Sequence, residues 1–96
     1  MLAKDAAGVL VGPGDITAQT RQVCENVKAA VEAAGGTLAD VCRVDVFITD
    51  MRHFDAIHAV RRAYFGDPPP ASTMVVVSGF THPLALIEIT AIAVIP

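Results

Sequence analysis

At 96 residues and a formal net charge of −3, the chain is sized for one domain, and its acidic balance excludes a general attraction to phosphate backbones or anionic lipid surfaces. Hydrophobic residues make up 53% of it, which is high for a domain of this length, so part of the apolar surface is expected to be covered by a partner. The first fifteen residues lack a long apolar core followed by a small-residue cleavage site, and no run is both apolar and long enough to span a bilayer. The chain therefore reads as soluble and cytoplasmic, with no membrane partner.

Residues 1–14 are rich in Gly and Ala and read as a loop or frayed edge segment, punctuated by Gly12, Pro13 and Gly14. Asp15 is placed to cap a first helix over about 15–34, where Val23, Val27 and Val31 recur every fourth residue beside Cys24 and Ala30. Gly35 and Gly36 end it. A strand follows over 41–49, with Val44, Val46 and Ile48 alternating on one face. Thr49 and Asp50 then offer the oxygens that open a second helix over about 52–65, along which Phe54, Ile57, Val60 and Tyr64 keep helical spacing. Gly66, Asp67 and Pro68 to Pro70 forbid helix and ladder pairing alike, so they mark a rigid crossover. Strands near 72–79 and 85–95 complete the list, with FTHP turning between them.

The last strand places Ile87, Ile89, Ala91, Ala93 and Ile95 on a face that two helices can cover together with Val44, Val46 and Ile48. The opposite face is expected to present Phe47, Met74, Val76, Leu86 and Ile92 among Glu88 and Thr90. Two helices cannot cover both sides, so assembly of the chain with itself through the sheet is expected. Cys24 and Cys42 lack paired-ligand spacing and read as buried free thiols.

The segments QTRQV followed by ENVKAAVEAAG, the VFITDM turn, YFGDPPPAS and the terminal IEITAIAV resemble, in order, the YjgF/RidA family of reactive-intermediate deaminases, also labelled endoribonuclease L-PSP. The likeness runs from Leu10 to the C-terminus. It implies an α+β, chorismate mutase-like fold, a mixed sheet with two helices packed on one face, in one domain over 1–96. It further implies a homotrimer with ligand clefts between subunits, and hydrolysis of enamines and imines, or of aminomuconate-like compounds, to keto acids and ammonia. The alternative reading is a non-catalytic member that binds a small ligand or a protein.

Two departures from the family pattern stand out. Deaminating members carry an arginine after the Pro-Ala of the crossover, where its fork can grip a substrate carboxylate; here that position is Ser72. Most members also have two further strands, with an aromatic residue and a Ser-Gly-Gln stretch, ahead of the segment at which this sequence begins, so a bare sheet edge is expected.

By this resemblance Glu88 is the candidate catalytic carboxylate that positions water, although a glutamate at a sheet rim is also ordinary surface. Ser72, Thr73 and Met74 are the candidate substrate-binding residues, although a serine opening a strand after prolines is equally turn chemistry and Met74 equally core. His53, His58 and His82 lack thiol or carboxylate companions at ligand spacing, so no metal and no cofactor is expected. GPGD has no phosphate-loop context, no nucleophilic triad can be assembled, and the acidic charge disfavours nucleic acid.

Overall fold

Each helix is fixed by the residues that end it. The structure, a computed structural model, describes residues 1–96. Helix α1 spans Ile16–Ala33, and the Asp15 carboxylate accepts from the Ala18 amide at its start. At its end Gly35 takes φ of 91°, and the Gly36 amide donates back to the Val31 carbonyl at 2.9 Å, closing the last turn. Helix α2 spans Phe54–Tyr64 and is led in by a 3-10 turn, Met51–His53, capped by Asp50. The hydrogen bonds that Arg52 donates from its side chain and amide hold the Asp50 carboxyl down at about 2.

Strands β1 (Val41–Ile48), β2 (Ala71–Val76) and β3 (Ile87–Ala93) form one mixed sheet in the order β2-β1-β3. The α2 crossover makes β1 and β2 parallel, whereas β1 and β3 run antiparallel. Both helices lie on one face, giving the α+β architecture expected from the sequence. The core there joins Val23, Cys24, Val27 and Val31 of α1 and Ile57 of α2 to Val44, Val46 and Ile48 of β1 and Ile87 and Ile89 of β3.

Three expectations are corrected. Register pairs Met74 with Val46 and Val76 with Ile48, so these two side chains turn toward the helix-covered face; Val75, opposite Phe47, takes the open face instead. The run MVVV carries no apolar alternation, and a one-residue shift exchanges the faces of a strand. Residues 1–14 form the loop, one of the two readings, but it is tied down and not frayed. Ala3 and Leu10 are buried, Leu2 bridges to Glu88, Lys4 bridges to Leu10, and the Asn26 amide of α1 donates to the Leu2 and Lys4 carbonyls. Single anchors of this kind leave no periodic signal. Cys24 is buried, with its thiol pushed up to about 12 by desolvation, but Cys42 is exposed at the irregularity between Val41 and Arg43.

Candidate functional site

The crossover from α2 to β2 brings the last turn of the helix over the first residues of the strand. Ser72, paired with Val44, points to the helix side of the sheet. There Arg61 of α2 donates from Nη1 to the Ser72 Oγ at 2.8 Å. The two line a cavity of about 180 Å³ with His58, Arg62, Phe65 and Pro70. His58, Arg61 and Arg62 stand at i, i+3 and i+4 along α2, which sets them on one helix face. His58 is stacked on Phe54, ring centroids 5.7 Å apart.

The charge in this cavity is of one sign. The three ion pairs of the chain join Met1 to Glu88, Arg43 to Asp45 and Arg52 to Asp50, so neither Arg61 nor Arg62 has a carboxylate partner. Burial lowers the pKa of Arg61, and its Nε is buried without a hydrogen-bond acceptor. The chemistry available is that of a cationic donor beside a hydroxyl, over an apolar floor. No three His, Cys, Asp or Glu side chains converge as a metal centre needs.

The residues singled out in the sequence are divided between the two faces of the sheet. Ser72 lies in the cavity, and Met74 shares its face but is packed against the core. Thr73, paired with Asp45, and Glu88, paired with Phe47, are on the open face, on strands either side of β1. Glu88 is partly exposed and lies 3.6 Å from the Met1 amino group. Within one chain, therefore, Glu88 and Ser72 do not meet. Arg61 and Arg62 were not foreseen, although their spacing from His58 just ahead of the proline crossover was a readable sign. A larger cavity, about 370 Å³, lies between α1 and β3, and Val27, Val31, Ala34, Ile89 and Ile95 make it mostly apolar, with Met1 and Thr90 also on its wall.

Comparison with known proteins places these features in context. The endoribonuclease L-PSP family model matches residues 1–95. A RutC family protein of Pyrococcus horikoshii is 50% identical over 80 residues, covering 83% of this chain and 63% of the relative. A RutC family protein of Sulfurisphaera tokodaii is 48% identical over 79 residues, covering 82% and 62%. The chain thus spans a little under two thirds of the length of these relatives. Among solved structures, RidA from an Antarctic Psychrobacter superposes with a TM-score of 0.92 at 35% identity, covering 99% of this chain and 76% of that one. A protein of Thermotoga maritima described as a putative endoribonuclease gives 0.89 at 42% identity, covering 97% and 72%.

Proposed function

Because the chain belongs to the endoribonuclease L-PSP family, that of the YjgF/RidA proteins, we propose that the cavity between α2 and β2 receives a small reactive enamine or imine acid and that the protein hydrolyses it to a keto acid and ammonia. The observation that carries this reading is Ser72 on the cavity wall, hydrogen-bonded to a guanidinium that no acid of the chain neutralises. Imine hydrolysis needs an oriented substrate, a placed water and a proton shuttle. Ser72 and Arg61 orient, Thr73 and Met74 extend along the same strand, and Glu88 is the proposed water-positioning carboxylate. Since Glu88 lies across the sheet from Ser72, it serves a site completed by another copy of the chain. The proposed assembly is a homotrimer with its clefts between subunits, as the partly apolar open face favours.

A non-catalytic, ligand-binding role is the second reading. It is favoured by the same division: inside one chain the cavity has no carboxylate, and His58 is the one imidazole on its wall. Keto-acid release from freshly generated 2-iminobutanoate separates the two. Acceleration well above buffer that is lost in Glu88→Gln supports hydrolysis, and a rate equal to buffer with the native protein removes it.

A further inference from the structure

On the open face of the sheet, register sets Asp45 of the middle strand between Thr73 of β2 and Thr90 of β3, with Ile92 beside Arg43 in the row before it and Val75 in the row after. An acid thus stands at the centre of a face whose margins are apolar. Arg43 reaches it along the same strand, but the contact is incomplete. Nε and Nη2 of Arg43 both donate to one oxygen, Oδ1, at 3.2 Å each, and no hydrogen bond within the chain reaches Oδ2 or leaves Arg43 Nη1. Asp50, by contrast, has both oxygens engaged, Oδ2 by the Arg52 side chain and Oδ1 by the Arg52 amide. Asp45 is also the more covered of the two acids, with 23% of its side chain in water against 34%.

In water a pair of this kind contributes little. Once another surface covers the face, each charge left without a full set of partners becomes costly, whereas a two-oxygen contact with a guanidinium is the strong form of the pair. A molecule seated here must therefore bring an acceptor for the arginine and a donor for the acid within one small area. The face itself carries both, so a second copy of the chain matches it in charge.

We propose that Arg43 and Asp45 bridge neighbouring copies around a closed ring, Arg43 of each copy donating to Asp45 Oδ2 of the next, and that this exchange restricts assembly to chains carrying the same pair. It rests on the reading of the open face as the contact of a homotrimer. In a ring every contact is head-to-tail, so one base and one acid per chain leave no charge unmatched. A chain of the same fold with other residues at these two positions would bury Arg43 or Asp45 against nothing, which excludes it.

The test is native mass spectrometry of the native chain refolded together with the isotope-labelled double variant Arg43→Asp with Asp45→Arg. Each of the two keeps an opposite-charge pair within itself and can close a ring of its own, but a hybrid ring sets like charges against each other at every mixed contact. Hybrids are expected at least about tenfold below the statistical proportion that labelled and unlabelled native chains reach. Hybrids at the statistical proportion would show that the pair acts inside one chain, and would overturn the exchange while leaving the trimer. Independently, Asp45→Asn is expected to raise the dissociation constant of the trimer at least about tenfold and to flatten its salt dependence, whereas Glu32→Gln, an equal loss of charge at an exposed position of α1, is expected to stay within about twofold. An Asp45→Asn trimer as tight as the native one would overturn the exchange even if the double variant fails to fold. Native protein at the mass of one chain throughout would remove the exchange and the trimer together, and imine hydrolysis measured on the same sample would show whether the deaminase reading falls with them.

Discussion

Gln19 is the one wholly buried amide side chain that ties three parts of the chain together. Its Nε2 donates to the Gly12 and Leu84 carbonyls at 3.3 and 3.0 Å, and its Oε1 accepts from the Leu86 amide at 2.8 Å. These bonds fasten the turn before α1 and the entry to β3 onto the helix. A polar residue four positions ahead of Val23 looks like an interruption of the apolar stripe, and two of its three partners are more than sixty residues away, so periodicity cannot reveal it. Gln19→Leu keeps the volume but leaves the Leu86 amide and the Leu84 carbonyl unpaired, each loss being worth about 1–3 kcal/mol. Urea denaturation should show a lower midpoint at unchanged slope. An unshifted midpoint would mean that water enters and replaces all three bonds. Arg61 was hidden for a related reason. Its placement was legible as part of an amphipathic helix, but its meaning depends on the absence of an acid nearby, which only the folded chain defines.

At the level of elements the sequence was most informative where local chemistry decides. Asp15 and Gly35 fixed α1, the prolines fixed the crossover, and the alternation of IEITA fixed the faces of β3. It was least informative in β2, where the faces follow from register with β1 and not from its own residues. How the helices join was also not legible. The Glu25 carboxylate of α1, aided by desolvation, pushes the Tyr64 phenol of α2 up to about 12. Tyr64 is the only tyrosine and there is no tryptophan, so phenolate absorbance near 295 nm reports this contact alone. The titration midpoint is expected near 12, above the ordinary value of 10, and Glu25→Gln should lower it. The sign for stability follows. The folded pKa is raised, so the contribution is complete below pH 10 and is lost as the pH rises through 12. A midpoint of 10, with circular dichroism showing the chain still folded, would remove the bridge between the helices.

The face of the sheet away from the helices governs what the whole molecule becomes. It is less apolar than the sequence implied, because Met74 turns inward, because Val76, although 52% exposed, takes the other face, and because Arg43 and Asp45 pair at 3.2 Å on β1 between Thr73 and Thr90. Even so, Phe47 is only partly buried there, Val75 is 40% exposed and Ile92 49%. Covering a large apolar side chain is worth about 1.5–3 kcal/mol, so three such residues repeated in every subunit favour association through this face. The position of Glu88 points the same way, since a carboxylate on the open face can reach a ligand on the other side of the sheet only in a neighbouring copy. If the proposed trimer forms here, light scattering should give a mass near three times the 10.0 kDa chain. Val75→Lys combined with Ile92→Lys should return it to the chain mass, because like charges would then face each other across a desolvated contact. Both substitutions lie on the side of the sheet away from Arg61, so binding of the acid in the cavity of the monomer should persist while imine hydrolysis is lost. Hydrolysis surviving in a monomer would instead place every group needed for the chemistry within one chain and exclude Glu88 from it.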